Sequence, residues 1–146
     1  MSPQQIDLVQ RSFNEVKPIA AAAAALFYKR LFMLDPSIRP MFKGEMTKQG
    51  QMLMSMIGAA VVGLRNLEKL APVLRQLGAR HAGYGVNSAH YVTVGSALMW
   101  TLDESLGDKF TPEVRDAWAA AYDLLSDVME LGAMEPAEAR RAVMAA

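Results

Sequence analysis

Residues 67–91 read LEKLAPVLRQLGARHAGYGVNSAHY. Leu67, Leu70, Leu74 and Leu77 recur at spacings of three, four and three, which is one face of a helix with a 3.6-residue period. The next place on that face, four residues on, holds His81 where another aliphatic residue would continue the pattern. Gly83 and Gly85 follow, and glycine tolerates the positive φ that closes many helices. The spacing therefore sets an imidazole at the last turn of an inward-facing apolar stripe. A polar ring in that position needs a partner: a hydrogen bond, a carboxylate or a metal. Pro72 falls within the stripe and predicts a break or a fresh start in the helix.

On the N-terminal side, Ile6, Val9, Phe13 and Val16 form a helical stripe that Pro18 ends or bends. A second helix is expected from about Ile19. Its alanine run favours helix and is slim enough for a neighbour to cross closely. It carries Leu26, Phe27, Tyr28 and Leu31. Asp35-Pro36 reads as a cap with proline at the first helical position, opening a short turn before Pro40. Met41-Phe42 leads into a polar loop from Lys43 to Thr47, and a helix from about Lys48 to Leu64 sets Gln49, Leu53, Met56 and Ala60 on one face.

On the C-terminal side, Asn87-Ser88 is a cap signal before the stripe Tyr91, Val94, Leu98 and Leu102. Gly107-Asp108 marks a turn. Thr111-Pro112-Glu113 starts a last long helix carrying Val114, Trp118, Ala121, Leu125 and Val128. Gly132 is expected to end it, and Glu135-Pro136 to open a short extra helix over 137–144. Nothing reads as a strand or a repeat. The expectation is an all-α chain, a single domain over 1–146 with seven to eight helices, most of them amphipathic.

Composition narrows the function classes. The 146 residues are 52% hydrophobic and 21% charged, the makeup of a folded globule. Fifteen basic and fifteen acidic residues are well mixed and cancel, so no basic patch invites nucleic acid. There is no cysteine, hence no disulfide, thiolate metal site or thiol nucleophile. Met1-Ser2-Pro3-Gln4-Gln5 lacks the layout of a signal peptide. The Ala20–Phe27 run is far shorter than the ~20 residues a membrane span needs. A cytoplasmic protein with no membrane partner is expected.

Taken residue by residue, the bland readings stand beside the sharp ones. His81 also fits a satisfied structural histidine, or a cation at a helix C-terminus. His90 reads as structural or exposed. Tyr28 fits a core tyrosine with one hydrogen bond. Gln49 and Gln51 compete for an inward place, and Gln49 is preferred because it lies one turn before Leu53. The eleven methionines read as fillers of an irregular core, although Met52 and Met56 flank the Leu53 face.

The combination of Leu26-Phe27-Tyr28, Met41-Phe42, Leu77-Gly78-Ala79-Arg80-His81, Tyr84-Gly85-Val86, Ala89-His90-Tyr91 and Thr111–Trp118 resembles the haem globins. It is most similar to the bacterial single-domain globins and the globin half of flavohaemoglobins, over about Gln5 to Met129. The resemblance implies a globin fold around haem b, with His81 as the proximal iron ligand. It implies Phe42, Leu53, Phe27 and Val86 packing on the haem, and Tyr28 and Gln49 as the distal, catalytic pair. Tyr91 would support the proximal side and Arg80 would meet a haem propionate. In flavohaemoglobins a late glutamate completes the proximal network. The matching place here is Ala133, with Glu130 and Glu135 nearby but out of phase.

The implied ligands are O₂, NO and CO. A phenol O–H and an amide N–H are both donors to the negative charge on bound O₂, each contributing ~1 kcal/mol or more in a dry pocket. Tight retention suits conversion of nitric oxide to nitrate. With no reductase domain before Ala146, an external electron donor or reductase would be needed, and the expected assembly is a monomer or weak homodimer. An oxygen carrier or scavenger, a gas sensor without turnover and a haem-free helical interaction module are the alternatives.

Overall fold

A computed structural model describes residues 1–134. Within them the chain forms six α-helices: α1 (Pro3–Val16), α2 (Ala20–Leu34), α3 (Met46–Gly63), α4 (Leu67–Gly83), α5 (Ser88–Leu106) and α6 (Pro112–Met134). Short 3₁₀ turns cover Lys17–Ile19, Pro36–Met41 and Gly107–Lys109, and the described residues contain no strand. The all-α architecture is as expected, with fewer α-helices among the described residues than the seven or eight anticipated, because three connections are 3₁₀ segments of three to six residues. The anticipated helix at 137–144 lies outside the described residues.

Most boundaries follow from local chemistry. Ser2 and Gln5 form a reciprocal capping box at the start of α1. Asp35 caps the turn after α2 through Ser37 N–H. Asn87 and His90 form a second capping box at the start of α5, where the His90 ring accepts from the Asn87 N–H; that is the structural use expected of His90. Thr111 Oγ1 accepts from Val114 N–H at the start of α6. Gly85 and Gly107 take positive φ at the ends of α4 and α5, where a side chain would be strained.

Two expectations fail. α4 runs unbroken through Pro72. Proline there is only the sixth helical residue, so it forfeits a single bond near the poorly satisfied first turn. Gly132 does not end α6, which continues to Met134. An added Cβ at Gly132 would lie 2.1 Å from the Arg75 carbonyl oxygen of α4, so this glycine marks a helix crossing.

The larger core joins α1, α3, α5 and α6 through Val9, Phe13, Val61, Leu102, Ala117 and Trp118, all buried. Trp118 Nε1–H donates to Ser12 Oγ at 2.8 Å, and Ser12 Oγ donates in turn to Leu8 O at 2.7 Å. This pair of buried polar groups locks α1 onto α6. Ser12→Ala would leave the indole N–H without an acceptor. We expect a loss of about 1–3 kcal/mol in urea unfolding with an unchanged helix content by circular dichroism.

Candidate functional site

A second, smaller core gathers Phe27, Tyr28, Leu31, Ile38 and Ala97, with Phe32, Met41, Phe42, Met46, Leu53 and Val94 packed around it half-buried. Tyr28 is its centre. Its ring lies edge-on to Phe27 (5.1 Å) and Phe42 (5.3 Å) and stacks on Phe32 (5.9 Å). Phe32 was not anticipated as part of this cluster, although it lies one turn after Tyr28 on the same helix face.

The helix crossing beside Tyr28 is unusually tight. A Cβ added at Gly50 on α3 would sit 3.0 Å from Ala24 Cβ on α2. Ala24 lies one turn before Tyr28, and Gly50 is adjacent to Gln49. The slim alanine face therefore brings the neighbouring helix close, as its composition suggested. The Gln49 side chain lies near enough to the Tyr28 hydroxyl to act on its ionisation. Gln49 is half-buried and Gln51 is exposed. Burial pushes the Tyr28 hydroxyl above its ordinary value, and Gln49 partly opposes that. Tyr28 therefore stays protonated, and a donor, at any physiological pH. Met52 and Met56 both point outward, 64% and 39% exposed, so neither flanks this cluster from inside.

Leu53 and Phe27 also line a cavity of about 20 Å³ reaching Phe13, Leu98 and Trp118. It exposes no polar surface, so a water placed there would find no partners and the space stays dry.

His81 stands on α4, half-buried at the end of the Leu70–Leu74–Leu77 stripe. Leu70 and Leu74 are buried, whereas Leu67 at the helix start is exposed. His81 Nδ1 lies 2.7 Å from Leu77 O. Since a carbonyl only accepts, Nδ1 carries a proton, and Nε2 takes no part in this bond. Tyr84 lies edge-on to the imidazole at 6.2 Å. Val86 N–H donates to His81 O, tying the following loop to the helix end, with the Val86 side chain half-buried. Arg80 is exposed beside it.

Tyr91 on α5 is half-buried, and its hydroxyl has no hydrogen-bond partner within the described residues. Burial raises its pKa, and the Glu130 carboxylate raises it further. Glu130 thus bears on the tyrosine that the out-of-phase reading had separated from it. Glu135 lies outside the described residues. Tyr122, which no periodicity singled out as functional, donates from its hydroxyl to the Tyr91 carbonyl. Burial drives its pKa far upward, with the charges of Tyr91 and Glu130 adding to the effect.

Comparison with known proteins now bears on this geometry. The Globin family model matches residues 25–129. The chain is a globin. It is 30% identical over 132 residues to the flavohemoprotein of Bordetella parapertussis, covering 88% of this chain and 33% of that protein. It is 36% identical over 106 residues to the flavohemoprotein of Rhizobium meliloti, covering 70% of this chain and 26% of that one. The chain thus spans about a third of the length of these curated relatives. Among solved structures, it superposes at a TM-score of 0.82 and 27% identity on an engineered carbene transferase form of RmaNOD, a putative nitric oxide dioxygenase from Rhodothermus marinus. That match covers 100% of this globin and 99% of the other chain. Kinship with globins and flavohemoproteins implies haem binding. No described helix is long and apolar enough to cross a membrane.

The three raised tyrosines set a pH dependence. Each folded-state pKa exceeds the unfolded value near ~10, so the folded state holds its protons more tightly. Their contribution is complete below about pH 10 and is lost as pH rises toward the folded values. Thermal unfolding should show a melting temperature that falls steeply above about pH 10. Tyr122→Phe should flatten that alkaline limb, while costing about 1 kcal/mol at neutral pH for the lost bond to Tyr91.

Proposed function

We propose that this globin binds haem b through His81 Nε2, holds O₂ with Tyr28 and Gln49, and oxidises nitric oxide to nitrate when an external electron donor or reductase supplies electrons. The observation that carries the reading is the pairing of a buried phenol with Gln49 in an aromatic, half-buried cluster, in a chain that also presents an imidazole with one ring nitrogen tied and the other available.

The residues fit the group. Haem is a flat apolar disc with two carboxylate tails and an iron that wants one nitrogen base. Phe27, Phe42, Leu53 and Val86 supply apolar packing, and three of the four are only half-buried by the protein itself. Arg80, next to His81 and exposed, suits a propionate. Tyr91, with its unpartnered hydroxyl, would stand in support behind the imidazole. When bound, haem supplies an iron that takes up diatomic gases and exchanges single electrons.

The chain's own residues do the rest. The Leu77 carbonyl fixes the tautomer of His81 and the direction of its ring. Tyr28 and Gln49 present two N–H or O–H donors toward a ligand that gains negative charge. The surrounding aromatic rings exclude water, which strengthens both bonds and suppresses side reactions. Donors of this kind slow ligand escape more than entry, favouring a reaction with a second gas over simple release. The names of the relatives support this choice, because two are flavohemoproteins and one is described in terms of nitric oxide dioxygenase activity. CO would bind the same position but gains less from the donors, since it develops less charge.

Adding haemin to the purified protein should give a Soret band that His81→Ala loses. Tyr28→Phe should speed O₂ dissociation about 5- to 10-fold in stopped flow, the loss of one donor worth about 1 kcal/mol. With nitric oxide and a cycling reductant, the unsubstituted protein should form nitrate at a rate that Tyr28→Phe reduces. Fast O₂ release that is unchanged in Tyr28→Phe would overturn the distal assignment and favour a carrier. Absence of any Soret band would overturn the haem reading altogether.

A further inference from the structure

α4 and α6 meet backbone to backbone. A Cβ added at Gly78 would fall 1.8 Å from Met129 O and 2.7 Å from Met129 Cα. One added at Gly132 would fall 2.1 Å from Arg75 O and 2.7 Å from Arg75 Cα. The two contacts are reciprocal and antiparallel: residue 78 lies on 129, and 75 on 132, the members on each helix being three positions apart. The obstructing atoms are main-chain atoms, which cannot rotate out of the way. Alanine at either place would force the helices apart by about 1 Å or more.

This clasp touches the peptide that orients His81. The carbonyl accepting from His81 Nδ1 belongs to Leu77, and that peptide unit is completed by the nitrogen of Gly78. The α-carbon of Gly78 that meets the Met129 backbone therefore belongs to the same planar peptide unit as the carbonyl that holds the imidazole. Among the described elements, α6 is the one α4 packs against most extensively. The contact of α4 with α3 is sparse and includes Gly63 against Leu70, at the far end of the helix from His81.

We propose that Gly78 and Gly132 are positioning residues for His81: their clasp on α6 sets the height and ring direction of the imidazole, and so the strength of the bond it makes to iron. This deepens the function proposed above and rests on His81 being the ligand. A gap of about 1 Å is enough to matter, because a ligand must be held within about 0.5 Å and 10–20° of its working geometry.

The test compares three alanine variants of the full-length chain loaded with haemin. Gly78→Ala and Gly132→Ala break the clasp. Gly83→Ala, two residues beyond His81 on the same helix, places its Cβ in open space and serves as the control. The readouts are the iron–imidazole stretching band by resonance Raman in the ferrous protein, and the rate of haem transfer to an excess of a haem-free acceptor protein. Gly78→Ala and Gly132→Ala should shift the band and speed haem loss about 10-fold, the size of effect seen when a ligand's supporting partner is removed. Gly83→Ala should change neither.

A folded Gly78→Ala protein with an unshifted band, or a Gly83→Ala protein that shifts equally, overturns the proposal. Should both clasp variants fail to fold, a urea series on the unsubstituted haem-loaded protein decides. Loss of the band should coincide with loss of amide-exchange protection in α4 and α6, and a band that outlives that protection overturns the clasp. A separate His81→Ala protein distinguishes the underlying reading. If it keeps the band, the ligand assignment has failed, and the clasp is then judged on the haem-free protein by whether Gly78→Ala moves the His81 Nδ1–H resonance.

Discussion

The structure depends on α4 being fastened far more closely to α6 than to α3. Helices ordinarily pack with axes 8–10 Å apart, but α4 and α6 come closer because Gly78 and Gly132 have nothing between their backbones and their neighbours. A helix held that firmly to one partner cannot also lean toward α3, with which its contact stays sparse. The consequence appears in burial. The larger core closes on itself, whereas Phe42, Leu53, Val86 and Val94 remain half-buried. Leaving apolar surface in water costs about 25 cal/mol per Å², so these side chains favour any flat apolar occupant that completes their burial.

The same device appears on the other side. Gly50 lets α3 approach the alanine face of α2 at Ala24, and the two chemistry-bearing side chains, Gln49 and Tyr28, lie immediately beside and one turn beyond that crossing. Gly78 lies in the peptide unit that orients His81. In both places the side chain to which the proposed function gives a role is placed by main-chain proximity rather than by a long side-chain network. Packed backbones have few ways to yield, so the positions they set are less tolerant of drift than positions set by rotamers. Bulk added at either crossing would therefore be felt first in geometry and only secondarily in the amount of core buried.

Much of this was legible in the chain because it is written locally. Periods of 3.6 residues, the Asp35, Asn87 and Thr111 caps and the glycines after His81 each reflect interactions within one or two turns. Pro72 and Gly132 were misread because their local signals have two meanings. Proline near the start of a helix costs one bond and need not break it. Glycine near the end of a helix can be a cap or a crossing, and only the Arg75 carbonyl from another helix decides which. Helix phase sets Gln49 inward of Gln51, and their exposure follows that order, whereas Tyr122 and its bond to the Tyr91 carbonyl join residues with no shared local pattern. No stripe or cap names a cofactor. That step came from the strings shared with globins.

The distribution of charge and polarity argues for what such a site would do best. On one side, a phenol and an amide offer donors, and burial keeps the phenol protonated. On the other, the partner of His81 Nδ1 is the neutral carbonyl of Leu77, not a carboxylate. A carboxylate would draw the ring toward imidazolate and push electron density onto iron, whereas a carbonyl orients the ring with little such push. The nearby negative charge, Glu130, is spent on Tyr91 and Tyr122, raising both phenols. Under the proposed function, strong holding on the distal side and weak donation from the proximal side favour retaining an intact diatomic until a second gas arrives, over splitting its bond.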